Sequence, residues 1–374
     1  MAYRTMSDRL FLSLLLFSLL SSCIEQFEFE SSGERPVVII EGHISDISTN
    51  EFDELFGETR YFYTKVKYAG VVKNNIDEVI SGAEVELISD QNEFWDYTED
   101  PEEPGTYYLY YSDFASQPNV EYKINVRLPN GEEYESAYDQ MPTENARGEI
   151  SADEISKFNF EPHSGDFVIR TIDGLDVSVQ LPPTEDNDFK YYRWDFHTVW
   201  LLVAELAPRT HPAGQCWLYD IYYLDENKLL RPKGSPAKTK LFFIQTSGNQ
   251  QTKFGFSVRI RQQGISKEHH QFWADLHNQE EQSELFAPPP YNIYSNIRAV
   301  GQEKEVYGFF GVVNEEYYTW FLDKEALSYA PSYIEQCLVQ PPVAPAEWCR
   351  NCLNKDGIKK GERNTNIRPI WWVY

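Results

Sequence analysis

Period-two alternation of apolar and polar residues is the feature that most limits what this chain can fold into. The clearest example is the stretch 121–136, in which the alternation continues on both sides of Asn130-Gly131. Both residues of this dipeptide tolerate positive φ, so it is typical of the tight turn of a β-hairpin. The apolar positions before the turn are Tyr122, Ile124, Val126 and Leu128. Because successive side chains of a strand point to opposite faces, the stretch predicts two strands with one buried face.

The same alternation recurs along the chain and indicates a mainly β protein. The predicted strands are 37–46, 62–68, 82–87 and 107–111 in the first half, and 175–181, 192–197, 199–206, 217–224, 241–246, 254–261, 306–313 and 317–322 in the second. Short strands at this spacing are typical of antiparallel β-sandwiches. We therefore expect two immunoglobulin-like β-sandwich domains, 35–145 and 160–331, connected through the acidic, aliphatic-poor stretch 141–165.

One helix is expected in the second domain, near 266–282. Ser266 can accept hydrogen bonds from the free N–H groups at a helix start, and Glu268 suits the positive end of the helix dipole. Phe272, Trp273 and Leu276 form its apolar stripe. Three consecutive prolines soon after it prevent a longer helix.

The first 22 residues have the layout of an export signal. Arg4 and Arg9 precede an apolar run, 10–20, that ends at Ser21-Ser22-Cys23. The run is too short to span a membrane, which takes about 20 residues. An ordinary signal peptide would share this layout, but the stretch closely resembles the lipobox of bacterial lipoproteins. That resemblance implies a diacylglyceryl thioether on Cys23 and an acylated N-terminus.

The segment 23–34 is then a lipid-anchored tether. Its acidic run, residues 25–30, resembles the surface-export signals of Bacteroidota lipoproteins, although a merely solvated tether would have the same charge pattern. The mature chain would have 374 − 22 = 352 residues, a length that favours two domains.

Four cysteines remain once Cys23 is acylated: Cys216, Cys337, Cys349 and Cys352. An even number in an exported protein favours two disulfides, for which three pairings exist. We favour Cys216 bonded to one member of the Cys349/Cys352 pair and Cys337 bonded to the other. The alternatives are a Cys349–Cys352 redox disulfide, which lacks a βαβ context, and a four-thiolate zinc site, which lacks paired CxxC spacing. We expect the tail, 332–374, to be irregular and held by these disulfides.

The charge of the chain excludes one class of partner. Lys and Arg number 33 against 59 Asp and Glu, a formal net charge of −26. Such a chain will not bind nucleic acid by neutralising phosphates, and an anionic bilayer would repel it, so lipid would have to hold it there. Aromatic residues, 15% of the chain, would fill sandwich cores or contact a glycan or a protein.

No chemical motif emerges from the residue pattern. His269, His270 and His277 share the predicted helix with Asp275, but HExxH spacing is absent, and we expect them to be partly exposed polar residues. The sequence also lacks a GxSxG elbow and a phosphate-binding glycine loop. We therefore predict no catalytic residue, no metal, no cofactor and no enzymatic activity.

Several motifs taken in order resemble the domain-of-unknown-function 4249 family of Bacteroidota outer-membrane lipoproteins. The first motif is the lipobox. The motifs after it are, in chain order, residues 38–46, 81–85, 122–124, 128–134, 191–194, 216–217, 263–268, 307–310, and Cys349-x-x-Cys352 near 367–371. Insertions around 46–60 and between Cys337 and Cys349 depart from the pattern. The resemblance implies a cell-surface accessory lipoprotein, often found beside TonB-dependent outer-membrane transporters, and it brings no catalytic residues.

These observations lead to three functional hypotheses. In the first, the chain is anchored to the outer membrane, faces the cell exterior, and serves as accessory, scaffold or ligand-capture subunit of a TonB-dependent transporter or another β-barrel. In the second, it binds glycans or peptides alone, through exposed Trp and Tyr. In the third, it is a surface hydrolase with an unrecognised site. The ligand is not predicted.

Overall fold

Twenty strands and two α-helices make up the part of the chain described by the computed structural model. The described residues are 37–69, 78–143, 146–163, 166–183, 189–221, 223–224, 226–281, 293–338, 343–359 and 362–373. The predicted export signal, Cys23 and the tether lie outside these residues.

The strands are short in the first half of the chain and longer in the second. Strands β1 to β10 are Val38–Ser45, Phe62–Tyr68, Glu78–Val79, Glu84–Ser89, Phe94–Asp96, Thr98–Glu99, Thr106–Leu109, Glu121–Arg127, Glu133–Ser136 and Asp139–Gln140. Strands β11 to β20 are Glu149–His163, Asp166–Leu181, Tyr192–Val203, Gln215–Asp220, Lys228–Leu230, Ala237–Gln245, Gly255–Gly264, Ile297–Ala299, Val306–Phe321 and Arg363–Thr365. The mainly β fold is therefore confirmed.

Three sheets contain these strands. The largest has the order β20-β14-β13-β17-β19-β1-β2-β7-β6, with β15 beside β13 and β3 beside β2. The second has the order β18-β9-β8-β4-β5, with β10 beside β8, and the third has the order β11-β12-β16. Neighbouring strands are antiparallel except β1 and β19, which are parallel.

Strand β19 connects the two halves of the largest sheet. Its first half pairs with β1, and its second half pairs with β17. We predicted two strands here, 306–313 and 317–322; the structure has one, because the residues between them also form ladder hydrogen bonds with a neighbouring strand.

Two hydrophobic clusters lie between the sheets. One contains side chains from β1, β2, β7 and the first half of β19 on one side, and from β4, β8 and β9 on the other. The second cluster lies between β12 and β16 on one side and β13, β14 and β17 on the other. Period-two alternation produces both, since each strand buries one face. The division into domains at 145–160 stays a prediction.

The stretch that we expected to connect two domains is instead part of a long hairpin. Strand β11 occupies most of residues 141–165 and pairs with β12 over its whole length. No strand was predicted here, because the many acidic residues of this stretch obscured its alternation. In a solvent-exposed hairpin such residues stand on open faces, where their charge costs little.

A second helix accompanies the predicted one, where we expected only an insertion. Helix α1 is Thr49–Phe56, and helix α2 is Lys267–Glu281. A capping box begins α1: the Ser48 side chain accepts from the Glu51 backbone N–H, while the Glu51 carboxylate accepts from Ser48. Gly57, with φ of 66°, ends it. The predicted cap of α2 is present, since Ser266 Oγ accepts from the His269 N–H at 3.2 Å.

The tail is irregular and held by two disulfides. Cys216 is bonded to Cys352 and Cys337 to Cys349, one of the two arrangements that we favoured. All four cysteines are buried in the second hydrophobic cluster. The tail also adds β20 to the edge of the largest sheet, beside β14.

Candidate functional site

The free end of the β11–β12 hairpin presents an apolar surface to solvent. We call this end the arm and define it as residues 155–163 and 166–172. Strand β16 pairs with β12 only from Gly174 to Leu181, so the arm has no third strand beside it within the described residues. Four of its side chains are more than half exposed: Phe158 66%, Phe160 62%, Phe167 68% and Ile169 59%.

These four residues share one face of the arm. Phe160 lies opposite Ile169 in the ladder, and opposite residues of an antiparallel pair point to the same side. The other face carries Lys157, Asn159, Arg170 and Glu161, with Ile172 and Val168 among them. The arm is therefore amphipathic although both of its faces are in solvent.

The apolar face of the arm continues a face that is buried further along the hairpin. On β12, alternate residues from Leu181 to Leu175 belong to the second hydrophobic cluster. The same alternation, followed toward the free end, reaches Ile169 and Phe167. The face of the hairpin that is buried in the second hydrophobic cluster therefore continues into the arm, where no other sheet within the described residues covers it.

The second notable feature is a cluster of charged side chains on the outer face of the largest sheet. We call it the arginine recess; its residues are His43, Arg60, Arg193, Asp195, Arg261 and Glu315. They come from β1, β13, β17 and β19, apart from Arg60, which follows α1. The five residues on strands alternate with the core residues of those strands, as Asp195 does between buried Trp194 and Phe196.

Hydrogen bonds join the charges of the recess into one network. Arg261 donates from Nε to both oxygens of Asp195, at 2.9 and 3.0 Å, and from Nη1 to Glu315 at 3.3 Å. Arg60 donates to Glu315 at 2.8 Å. Burial opposes ionisation of Glu315, but Arg60 and Arg261 lower its pKa to about 2. Glu315 is therefore a carboxylate at neutral pH, although its side chain is completely buried.

Aromatic rings cover the arginines of this face. The guanidinium carbon of Arg60 lies 4.5 Å from the centre of the Phe52 ring in α1. That of Arg193 lies 4.1 Å from the Trp273 ring in α2. Both helices are therefore held against the polar face of the sheet by contacts of the cation–π type.

The histidines of the predicted helix have different surroundings from one another. His269 is 6% exposed, contrary to our expectation, and stacks on Phe309 with ring centres 4.6 Å apart. Gly311 allows this contact, because a Cβ there would lie 2.5 Å from the His269 ring. His270 and His277 are partly buried, as expected. Within the described residues, no group of three or more His, Cys, Asp or Glu side chains is arranged to hold a metal ion.

The recess and the neighbouring Ser45 together have the residue types of a catalytic triad, but their arrangement does not match one. Ser45 Oγ donates directly to Glu315 at 3.2 Å, and His43 Nε2 lies 4.0 Å from the same carboxylate. A triad needs the histidine between the hydroxyl and the acid. Burial, followed by the charge of Arg261, lowers the pKa of His43 to about 3, which makes it a weak base at neutral pH.

The sequence alone predicted neither the arm nor the arginine recess. Phe158 and Phe160 alternate with Lys157 and Asn159, a strand signal that the nearby acidic residues obscured. The recess gave no local signal, because His43 and Glu315 are 315 − 43 = 272 positions apart. Only the pairing of β1 with β19 and of β17 with β13 brings its members together.

The fold and these features define a class of mainly β proteins with several antiparallel sheets and two disulfides in the C-terminal region. Residues 24–319 match the family described as Domain of unknown function (DUF4249), so the chain belongs to that family. No significant match was found among curated proteins or among solved structures. Among the described residues, no helix is both long enough and apolar enough to cross a bilayer.

Proposed function

We propose that this chain is an outer-membrane lipoprotein, anchored through Cys23 and facing the cell exterior. In this role it is an accessory or ligand-capture subunit of a TonB-dependent transporter or another outer-membrane β-barrel. The single observation that carries the proposal is the apolar face of the arm. The two buried disulfides agree with it, since such bonds persist in oxidising compartments outside the cytoplasm.

The arm has the composition of a protein-docking surface. Contiguous exposed apolar patches on soluble domains mark interaction sites, and phenylalanine is enriched in the cores of interfaces. Residues 149–173 contain two basic and six acidic residues, a net charge of 2 − 6 = −4. An anionic lipid surface would repel this hairpin, so we assign its partner as a protein rather than a bilayer.

Co-purification tests this proposal. After gentle detergent extraction, the native protein should elute together with a large β-barrel protein. The double variant Phe158→Ser/Phe160→Ser should lose that partner, while its free energy of unfolding changes by no more than about 0.5 kcal/mol per site, because both side chains are exposed. The matched control is Phe94→Ser, 57% exposed in β5 and outside the arm, which should keep the partner. A monodisperse lone protein, or a double variant that retains the barrel, would contradict the proposal.

Stand-alone glycan or peptide binding remains the second candidate. We expected exposed Trp side chains for sugar stacking, but all nine tryptophans are buried or partly buried in the described part of the chain. A ladder of tyrosines favours the candidate instead: Tyr108 stacks on Tyr110 at 5.8 Å and contacts Tyr63 at 5.8 Å. A glycan array probed with acyl-free protein distinguishes the two candidates, because only the second predicts specific hits.

A further inference from the structure

The arginine recess concentrates positive charge in a strongly acidic chain. Its three arginines, Arg60, Arg193 and Arg261, face two carboxylates, Asp195 and Glu315, so each carboxylate is shared by two arginines. The whole chain has a formal charge of −26. Positive charge that is removed from water is costly unless it is paired. Arg261 also pairs with Glu315, whereas Arg193 has only the carboxylate of Asp195, which it shares with Arg261.

Arg193 is the arginine whose hydrogen-bonding capacity is least used. Its Nη1 donates to Asp195 at 2.9 Å and to Gln263 at 2.7 Å. Its Nε is buried without a partner, and its Nη2 makes no hydrogen bond to any residue in the described ranges. Asp195 and Gln263 therefore fix Nη1, Trp273 covers the face of the guanidinium, and Nη2 is the position left for a ligand.

Water reaches the recess although protein surrounds it. The Arg193, Asp195 and Arg261 side chains keep 12%, 17% and 18% of their surface accessible. Burial lowers the pKa of Arg193, which means that its charged form is incompletely compensated in the unliganded protein. A bound anion would supply the missing compensation without moving the network, since Asp195 and Gln263 already hold the guanidinium.

Tyrosines border the recess and indicate the body of the ligand. Tyr63 would lie beside His43 on the outer face, because β1 and β2 pair at Gly42 and Thr64. Tyr63 also interacts electrostatically with Arg193. From Tyr63 the ladder continues through Tyr108 to Tyr110. Such rings stack on flat apolar or sugar surfaces.

We propose that the arginine recess binds the carboxylate of a small organic monoanion, with Arg193 as the contacting residue and the tyrosine ladder against the ligand body. A carboxylate oxygen accepts a charge-assisted hydrogen bond from a guanidinium N–H, which is stronger than a bond between neutral groups. The carboxylates of Asp46, Asp195 and Glu315 in and beside the recess oppose a second negative charge, which favours a carboxylate over a phosphate dianion. The inference is independent of partner docking by the arm.

Calorimetric titration of the full chain in detergent tests the inference, with benzoate as the probe and benzamide as its neutral isostere. Benzoate should bind, and benzamide should bind at least about tenfold more weakly, because it carries no negative charge to pair with Arg193. Inorganic phosphate at equal concentration should not displace benzoate. Absence of benzoate binding, equal binding of benzamide, or tighter binding of phosphate would each overturn the assignment.

Variants locate the binding. Arg193→Gln should weaken benzoate binding at least about tenfold, because it removes both the charge and the fork. Arg147→Gln is the matched control: this exposed arginine pairs with Glu316 outside the recess, and its loss should leave benzoate binding unchanged. If Arg193→Gln does not fold, Arg193→Lys keeps the charge and should still weaken binding, since an ammonium lacks the fork. Unchanged binding in the folded Arg193 variant would refute the proposal.

Discussion

Glu315 is the residue on which the charge network most depends. It accepts hydrogen bonds from groups on four separate segments, and the donors are Ser45, Arg60, Arg261, Gln263 and Tyr317. Its side chain is completely buried, so its charge depends on these donors rather than on water. The next residue, Glu316, makes an ion pair with the exposed Arg147. Adjacent glutamates thus occupy opposite environments.

Substitution of each glutamate in turn should lower the stability by very different amounts. We expect Glu315→Gln to lower the free energy of unfolding by about 3–5 kcal/mol, because it leaves buried cations unpaired. Glu316→Gln should cost no more than about 1 kcal/mol, because exposed ion pairs contribute little. Urea denaturation of both variants measures the difference. Equal losses would show that the network does not stabilise the fold.

His43 should make stability depend on pH. Burial, then Arg261, lowers its pKa from 6.5 to about 3. Between these values the unfolded chain binds a proton that the folded chain does not, so stability falls as pH drops from 6.5 toward 3. The loss amounts to as much as about 1.4 kcal/mol per pH unit. His43→Gln should therefore show a shallower decline in urea midpoints on acidification than the unsubstituted protein.

The pH profile of stability must be compared between His43→Gln and the unsubstituted protein, because other groups change the stability in the opposite direction on acidification. Burial raises the pKa of Asp139 from 3.8 to about 6, and its contribution to stability grows as pH falls between these two values. Asp139 is present in both proteins, so the difference between the two profiles isolates His43. Parallel profiles would contradict the lowered pKa of His43 in the folded protein.

At the scale of elements, the first helix depends on its cap. Ser48→Ala should cost about 1 kcal/mol, because it removes the side-chain acceptor of the capping box and exposes an unpaired N–H at the start of α1. Glu54→Ala, at an exposed site within the same helix, should change stability by less than about 0.5 kcal/mol. Thermal or urea unfolding measures both. A Ser48 variant as stable as the Glu54 variant would show that the cap is dispensable.

Helices and strands were predicted correctly from the sequence where the signal lay within a short stretch of residues. The hairpin around Asn130-Gly131 forms as expected, with Gly131 at φ of 84°, and Ser266 starts the predicted helix. Helix α1 was missed although Ser48-x-x-Glu51 and Gly57 signal it, because eight residues are too few for a clear apolar period. The arm was missed because its acidic residues outweighed its alternating phenylalanines. The recess could not be found, because it depends on strand neighbours far apart in sequence.

The two disulfides should contribute unequally to the stability of the whole molecule. Cys216–Cys352 closes a segment of 136 positions, and Cys337–Cys349 closes one of 12. Loop-closure entropy predicts about 5 kcal/mol for the long loop and about 3 kcal/mol for the short one. Cys216→Ser/Cys352→Ser should therefore be less stable than Cys337→Ser/Cys349→Ser by about 2 kcal/mol. Denaturant unfolding without reductant measures this, and the reverse order would contradict the prediction.

The parallel pair β1–β19 has a consequence for how the molecule is made. Val38 pairs with Val306, which is 306 − 38 = 268 positions later in the chain. During synthesis, the first strand keeps one edge without its native neighbour until most of the polypeptide has emerged. Contacts of such long range form slowly, and open edges invite wrong pairing in the interval. Biogenesis of this protein therefore favours a holding factor that shields the early strands until β19 arrives.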